Sequence, residues 1–288
     1  MPYEFRDASA LPPRDAIEMR PPPGFRKSHN VAAGTWSDDG AQALCVLASL
    51  LHCDRLDVED LGRRLRNWCD WGYMAVEGEV FDIGVQTSES LRALAAGTSA
   101  AESGGIDERS NGNGSLMRVL PLALWHRGTD AELVDDAHLQ SRVTHAHPRS
   151  QVCCALYCLW ARRILQEAGD PWGSALTTLR ELYGADAARS TELEQSIVAK
   201  EGLSVAGSGY VVDCLRSARW AMAQGGYEQA VKSAIALGND TDTDTTACVT
   251  GGIAGLRDGL EAIPKRWRED LRESELFLPL LEQLLRRA

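Results

Sequence analysis

Residues 238–246 read Gly238-Asn239-Asp240-Thr241-Asp242-Thr243-Asp244-Thr245-Thr246. They run directly into the small-residue stretch Ala247-Cys248-Val249-Thr250-Gly251-Gly252-Ile253-Ala254-Gly255. Two carboxylates about 4 Å apart repel by roughly 4 kcal/mol at an effective dielectric constant near 20, so this loop needs either solvent or a cation. The apolar flanks favour a buried loop, and carboxylate and hydroxyl oxygens favour Mg²⁺, Mn²⁺ or Ca²⁺ over Zn²⁺. The alternative is an Asp/Thr-rich turn that caps a helix.

The composition predicts a globular, cytoplasmic chain. The 288 residues are 44% hydrophobic, which suffices for a sizeable core, yet no apolar run is long enough to suggest a membrane span. The net charge of −11 argues against nucleic acid as the main partner. The first residues lack the layout of a signal peptide, and most of the eight cysteines lie in apolar helical patterns typical of reduced Cys.

Helical periodicity predicts an all-α fold in one domain spanning residues 1–288. Apolar residues recur at helical spacing in segments 44–51, 61–68, 116–124, 152–164, 211–222, 227–237, 246–256 and 276–285. Alternating strand patterns are scarce, and no repeat or break in composition divides the chain. Pro-rich residues 1–30 predict irregular chain, residues 99–114 and 184–209 predict long loops, and residues 264–288 predict a charged amphipathic cap.

A second acidic element, Gly34-Thr35-Trp36-Ser37-Asp38-Asp39-Gly40, lies directly before the first helical segment. Taken alone, it is typical of a helix N-cap, because Ser caps well and acids favour the first turn. Two clusters of hydroxyl and carboxylate groups, each beside an apolar helix, could instead supply the ligands of a two-cation site.

These two clusters, with several stretches between them, resemble the ADP-ribosylglycohydrolase family, which includes the dinitrogenase-reductase-activating glycohydrolase. The intervening matches occur in the family's order over nearly the whole chain: Phe81-Asp82-Ile83-Gly84, Asn113-Gly114-Ser115-Leu116-Met117-Arg118, Thr144-His145 ahead of Pro148, and Ser208-Gly209-Tyr210-Val211-Val212-Asp213.

The resemblance implies an all-α fold with two divalent cations, Mg²⁺ or Mn²⁺, in a central cleft. It implies hydrolysis of the bond between ADP-ribose and an acceptor, either an ADP-ribosylated protein side chain such as arginine or a small conjugate. The implied metal ligands are Ser37, Asp38, Asp39, Asp242, Asp244 and Thr245. The implied catalytic residues are Asp82, Glu4 and Asp38. The implied substrate-binding residues are Asn113, Gly114, Ser115, His145, His147, Gly207, Ser208, Gly209 and Tyr210.

Several of these positions allow another interpretation from the residues alone. Asn113, Gly114 and Ser115 open the predicted helix at 116–125, where exposed amides could hold a pyrophosphate or simply form a capped turn. Tyr210 could stack on adenine or pack in the core at a helix start. Glu4 could be a base or gate, or a solvated charge near a frayed terminus.

The chain departs from the family pattern at three places. Family members begin with a glycine-rich apolar helix before the Pro-Tyr-Glu segment, whereas this sequence begins at Met1-Pro2-Tyr3-Glu4, so we expect that helix to be missing. Ser37 stands where threonine is commoner, which keeps the hydroxyl. The acidic loop is two residues longer; alignment from Gly251 selects Asp242, Asp244 and Thr245, and alignment from Gly238 selects Asp240, Asp242 and Thr243. We prefer the first register.

Two other functions stay open at this point: a non-catalytic ADP-ribose-binding module on the same fold, and a two-metal phosphohydrolase. The second would need helical His-Asp ligand pairs, which the sequence lacks. Acceptor contacts are expected from loops 68–88 and 99–111. The acceptor, the choice between Mg²⁺ and Mn²⁺, and the oligomeric state do not follow from the sequence.

Overall fold

The computed structural model describes residues 2–200, 202, 205–238 and 243–287. This part of the chain contains thirteen α-helices and no strand, with one isolated β-bridge between Gly105 and His145, which confirms the all-α prediction there. The helices are α1 Asp38–Cys53, α2 Val58–Trp71, α3 Val85–Ala95, α4 Leu120–Trp125, α5 Asp130–Arg142, α6 Pro148–Leu165, α7 Pro171–Leu182, α8 Ala187–Thr191, α9 Val211–Met222, α10 Tyr227–Ala236, α11 Thr243–Asp258, α12 Lys265–Asp270 and α13 Ser274–Leu285. None of these helices is both long and apolar enough to cross a membrane.

The chain forms two compact units, each built from two separate segments. The smaller unit comprises Met1–Trp36 and Glu201–Arg272, and the larger comprises Ser37–Lys200 and Glu273–Ala288. The prediction of a single domain over residues 1–288 stays a prediction.

Helix α6 forms the centre of the larger unit. Its side chains from Ser150 to Arg162 are buried on every face, and it packs against α4, α5 and α7. Helix α1 packs against α2, α4 and α13, so the last helix of the chain returns to this unit. Helix α1 is thereby packed against helices on several sides.

The smaller unit is built on α9, α10 and α11, which pack against one another. Residues 2–30 contain only two short 3₁₀ turns among their described residues, at Ala8–Ala10 and Arg14–Ala16, which confirms the expectation of irregular chain. The second turn packs on α10, and the adjoining Ile17 is 1% exposed. This irregular segment is therefore a packed part of the unit.

The helix predicted from residue 116 is wrong at its start, because α4 begins at Leu120. The amides of Leu116 and Met117 both donate to the Asn113 carbonyl oxygen, at 2.9 and 3.0 Å, and this closes a turn ahead of the helix. Pro121 then occupies the first turn of α4, a position that suits a residue without an N–H group.

The loop predicted at 184–209 is wrong in part. It contains α8 and a π-helical turn at Glu192–Ile197, whose Leu193 and Ile197 are fully buried. Helices α3, α5 and α7 also lie outside the segments predicted as helical.

Candidate functional site

In the larger unit, the start of α1 buries three adjacent polar side chains. Ser37, Asp38 and Asp39 are 5%, 7% and 4% exposed. Ser37 occupies the N-cap position, yet its side chain makes no capping hydrogen bond. Its hydroxyl donates instead to Asp39 Oδ2 at 2.9 Å, and the Asp39 amide donates to Asp38 Oδ1 at 3.1 Å. The interpretation of this element as an ordinary cap is therefore wrong for the Ser37 side chain.

The ligand atoms at this helix start fit a hard divalent cation, because they belong to two carboxylates and one hydroxyl, all oxygen and all buried. They lie at the positive end of a 16-residue helix, which stabilises the ionised form of the carboxylates. Two buried carboxylates side by side are costly unless a positive charge balances them.

Arg118 brings a fixed positive charge into this region. It is fully buried and donates to Gln42 Oε1, Gln140 Oε1 and Thr144 Oγ1 at 3.0, 3.1 and 2.7 Å. Burial lowers its pKa to about 10, and Asp38 is among the neighbours whose charge opposes that shift. Arg118 thus stays charged at neutral pH and ties α1 to α5. Arg118 ends the sequence motif that begins at Asn113, and no role was predicted for it. An arginine within an apolar run is nevertheless a signal of a buried polar contact.

The Asn113–Ser115 turn lies against His145. A Cβ on Gly114 would come within 3.0 Å of the His145 ring, and Arg118 donates to the Gly114 carbonyl oxygen at 3.2 Å. Ser115 is fully buried, and its hydroxyl accepts from Ser141 at 2.9 Å, so it packs inside the unit. The turn precedes no helix directly, which removes the helix N-terminus expected here, whereas its role in substrate binding stays a prediction.

The two predicted histidines differ in their surroundings. Burial, and then the charge of Arg118, lower the pKa of His145 to about 3, so its ring is neutral, with Nδ1 2.8 Å from Thr144 Oγ1. His147 is the N-cap of α6: its Nδ1 accepts from the Arg149 amide at 3.1 Å, and its Nε2 lies 3.5 Å from a Glu108 carboxylate oxygen. His147 therefore caps α6, whereas His145 lies beside the Asn113–Ser115 turn.

Asp82 adopts a left-handed backbone conformation, with φ of 59°. Such a conformation is uncommon outside glycine and is found often at functional positions. Three residues later α3 begins, and a groove of about 570 Å³ opens there, lined by Val85, Gln86, Glu89, Asp107, Glu108, Arg109 and Ser110. The groove thus lies along parts of both loops expected to contact the acceptor.

In the smaller unit, α11 begins inside the acidic stretch, at Thr243. Asp244 and Thr245 lie in its first turn, and the Thr245 amide donates to Asp244 Oδ1 at 2.8 Å. Thr245 is 5% exposed. The predicted ligand Asp242, with Asp240 of the other register, lies outside the described residues, so the register stays a prediction.

The Gly207–Tyr210 stretch lies beside the chain that leads into the acidic stretch. A Cβ on Gly207 would come within 2.8 Å of the Gly238 carbonyl oxygen, so only glycine permits this approach. Ser208 donates to Asp213 at 2.7 Å in the first turn of α9, and Tyr210 is the half-buried N-cap of that helix. Gly209 lies between them. Whether these groups bind substrate stays a prediction.

Glu4 is fully buried in the smaller unit. Its Oε2 lies 2.9 Å from Nε2 of His29, and the Ser28 hydroxyl donates to its carbonyl oxygen. The alternative of a solvated charge at a frayed terminus is therefore wrong. No local pattern predicts the His29 pairing, because the two residues lie 25 positions apart in the sequence.

A family model described as ADP-ribosylglycohydrolase matches residues 1–288. ADP-ribosylarginine hydrolase Tri1 of Serratia proteamaculans (strain 568) is 28% identical over 281 residues, which cover 94% of this chain and 72% of that protein. The ADP-ribosyl-(dinitrogen reductase) glycohydrolase of Rhodospirillum rubrum is 25% identical over 240 residues, covering 83% of this chain and 74% of that protein. A solved ADP-ribosylglycohydrolase-related protein complex contains a chain that is 28% identical with a TM-score of 0.73, covering 99% of this chain and 92% of that one.

Proposed function

This chain belongs to the ADP-ribosylglycohydrolase family, and from that premise we propose that it hydrolyses the bond between ADP-ribose and an arginine side chain of a modified protein. Two relatives named ADP-ribosylarginine hydrolase support the arginine acceptor, at 28% and 29% identity. A small ADP-ribosyl conjugate would present the same bond.

The observation that carries the proposal is the burial of Ser37, Asp38 and Asp39 at the start of α1. A cap needs one side-chain oxygen that accepts from the amide of the second or third helical residue, and Ser37 makes no such bond. This cluster instead holds two buried carboxylates and a hydroxyl that donates to one of them. Burial of two carboxylates costs free energy, and a bound cation would offset that cost.

Mg²⁺ or Mn²⁺ is the proposed cofactor. In the larger unit, Ser37, Asp38 and Asp39 would hold a cation, and in the smaller unit Asp244 and Thr245 would do so, with Asp242 assigned by the resemblance alone. A bound cation would supply polarisation of substrate oxygens and of water. Oxygen-only donors do not separate the two metals.

The reaction breaks the bond from ribose C1″ to the guanidine nitrogen, and the electron pair leaves with nitrogen. Water forms the new bond to C1″; one of its protons passes through a carboxylate to the departing guanidine, and the products are ADP-ribose and the unmodified arginine side chain of the protein. The ribose becomes oxocarbenium-like as the bond breaks, so nearby carboxylates stabilise it.

Asp82, Glu4 and Asp38 are the proposed groups for this chemistry. Asp82 would face the bond that breaks, and the left-handed backbone at this residue would fix the direction of its carboxylate. Glu4 would accept the proton from water, and Asp38 would stabilise charge at the ribose. The groove beside α3, whose lining includes Glu89, Asp107 and Glu108, would take the cationic guanidine side of the substrate.

The direct test measures ADP-ribose released from an ADP-ribosyl-arginine protein, by chromatography, with Mn²⁺, with Mg²⁺ and with EDTA. We expect release with a divalent cation and none with EDTA. Tight binding of ADP-ribose without release from any linkage would favour a binding module, and release of phosphate would favour a phosphohydrolase.

Asp82→Asn isolates the carboxylate, because asparagine tolerates the left-handed conformation as well as aspartate does. The matched control is Asp54→Asn, since Asp54 has φ of 54° at the exposed end of α1. We expect release to fall by about 100-fold or more in Asp82→Asn and to stay unchanged in the control. Equal rates in the two variants would contradict the role of Asp82.

A further inference from the structure

The segment that carries Glu4 lies outside the helices, so its position depends on contacts with residues that are distant in sequence. The Ser28 amide donates to the Pro2 carbonyl oxygen at 3.3 Å, and the Ser28 hydroxyl donates to that of Glu4. Residues 2–4 are therefore fixed on one side by the Ser28–His29 turn. A second set of contacts fixes them through Tyr3.

Tyr3 is 2% exposed and forms two hydrogen bonds with the backbone of one residue, Glu18. Its hydroxyl donates to the Glu18 carbonyl oxygen at 2.8 Å and accepts from the Glu18 amide at 3.0 Å. The Tyr3 ring also packs on Phe25, with centroids 5.2 Å apart. Tyr3, which directly precedes Glu4, is thus hydrogen-bonded to a residue 15 positions away in the sequence.

Glu18 is itself held by three donors from the helical part of the smaller unit. Its carboxylate accepts from Lys232 Nζ at 2.9 Å, from Arg266 Nη2 at 2.8 Å and from Trp267 Nε1 at 2.7 Å. Hydrogen bonding to Arg266 is the main cause that lowers the pKa of Glu18 to about 2. The carboxylate is therefore ionised at neutral pH.

Lys232 connects this carboxylate to the rest of the irregular segment. Its ammonium group also donates to the Asp15 carbonyl oxygen at 3.1 Å, and it lies 2.9 Å from a Glu228 oxygen. The cluster pairs two carboxylates with two cations. Because charge-assisted hydrogen bonds are short and directional, the cluster defines where the backbone of Glu18 lies.

We propose that Tyr3 and Glu18 are positioning residues for Glu4, so that a charge cluster on α10 and α12 sets the place of a catalytic carboxylate. This inference rests on the proposed function, because it needs the role of Glu4 in hydrolysis. Neither residue touches the substrate. Their effect is transmitted by the two hydrogen bonds at the Tyr3 hydroxyl and by the peptide bond from Tyr3 to Glu4.

The test compares Tyr3→Phe and Glu18→Gln with the wild type in the full chain. Tyr3→Phe keeps the ring on Phe25 and removes only the hydroxyl, and Glu18→Gln keeps the side-chain size and removes the charge. We expect kcat for ADP-ribose release to fall about 10-fold in each, with KM within about 2-fold of the wild type, because supporting contacts of this kind typically contribute 10–100-fold. Glu18→Asp, which keeps the charge, should recover part of the rate.

Arg20→Gln is the matched control. Arg20 makes a bidentate contact with Asp270, at 2.9 and 2.7 Å, and so ties the same irregular segment to the end of α12 from an exposed position. We expect this variant to keep the wild-type kcat. A fall equal to that of Tyr3→Phe would mean that general loosening explains the effect and would overturn the proposal.

A double-mutant cycle with Glu4→Gln separates positioning from a structural contribution. If Tyr3 acts only through Glu4, Tyr3→Phe should lower kcat no further once Glu4 is replaced. Independent, multiplying losses would overturn the proposal, as would wild-type kcat in Tyr3→Phe and Glu18→Gln or full activity of Glu4→Gln. Absence of hydrolysis by the wild type on every linkage would overturn the proposed function and this inference together, whereas an active wild type with unaffected variants overturns the inference alone.

Discussion

The starts of α1 and α11 share one local arrangement in two separate units. In each, a hydroxyl residue precedes an aspartate: Ser37, the N-cap of α1, precedes Asp38, and Thr243, the first residue of α11, precedes Asp244. In both, the aspartate Oδ1 accepts the amide of the next residue, at 3.1 Å for Asp38 and 2.8 Å for Asp244. The same short sequence pattern therefore gives the same hydrogen bond from an amide to an aspartate at the positive end of each helix.

The two helix starts differ in what lies around them. Near α1, the support is polar, because Arg118 bonds Gln42 one turn into the helix and connects it to α5. Farther along α11, the packing is steric: a Cβ on Gly251 or Gly255 would come within 3.4 or 3.8 Å of Tyr227 on α10. One local pattern of hydroxyl and aspartate thus occurs in a helix supported by a buried charge and in a helix packed through small residues, and the two helices should respond differently to mutation.

The largest expected effect comes from removing the charge near α1. Arg118→Met should lower the free energy of unfolding by about 3–5 kcal/mol, because it leaves Gln42, Gln140 and Thr144 without a shared donor inside the larger unit. Urea denaturation followed by circular dichroism measures this loss. Arg92→Met, at an exposed arginine bonded to Ser88, is the control and should change stability little; comparable losses in both variants would contradict the central place of Arg118.

A smaller effect, on activity, is expected when the aspartate carboxylate at either helix start is replaced by an amide. Asp38→Asn and Asp244→Asn should each lower kcat/KM for ADP-ribose release by about 100-fold, because each removes a negative ligand oxygen. The controls are acids at the opposite ends of the same helices, Asp54→Asn on α1 and Asp258→Asn on α11. If only one helix start proves sensitive, the functional equivalence of the two is wrong.

The next effect is the change in the stability of the larger unit with pH. Burial is the main cause that lowers the pKa of His138 to about 3, and the ring stacks on Tyr183. The unfolded chain binds a proton below about pH 6.5 and the folded chain does not, so the stability present above pH 6.5 is lost as the pH falls toward 3. Between pH 7 and 5 the wild type should lose about 2 kcal/mol more than His138→Phe in urea unfolding. Identical losses would show that His138 takes up its proton while folded.

The smallest effect concerns the hydroxyl at the start of α1. Ser37→Thr keeps the group that donates to Asp39 and should leave kcat/KM within about 2-fold of the wild type, whereas Ser37→Ala should lower it about 10-fold. Steady-state kinetics at saturating Mn²⁺ compares the two. An active Ser37→Ala variant would limit the function of this helix start to its carboxylates.

Local patterns predicted much of this molecule. Helix periodicity placed α9 at Val211–Met222, and the acids beside apolar runs marked the starts of α1 and α11. These features depend on neighbours within a few residues, so the sequence displays them directly. The local pattern leaves two registers for the acidic loop, and residues 239–242 lie outside the part of the chain that the structure describes.

Features that depend on distant contacts were not predictable. Arg118 donates hydrogen bonds to Gln42 and Gln140, which lie 76 and 22 positions away in the sequence. Nothing in the local pattern indicates these partners. The burial of Glu4 depends on His29, and the anchoring of Tyr3 depends on Glu18 and α10. The start of α4 was misplaced because the apolar spacing from Leu116 continues through a turn that only the hydrogen bonds to Asn113 reveal.

The most direct test of the central claim is calorimetric titration of Mn²⁺ into the wild type, Asp38→Asn and Asp244→Asn. If both helix starts supply cation ligands, the wild type binds Mn²⁺ and each variant binds it at least about 10-fold more weakly. Binding of Mn²⁺ with undiminished affinity by both variants, or no binding by the wild type, would contradict the account.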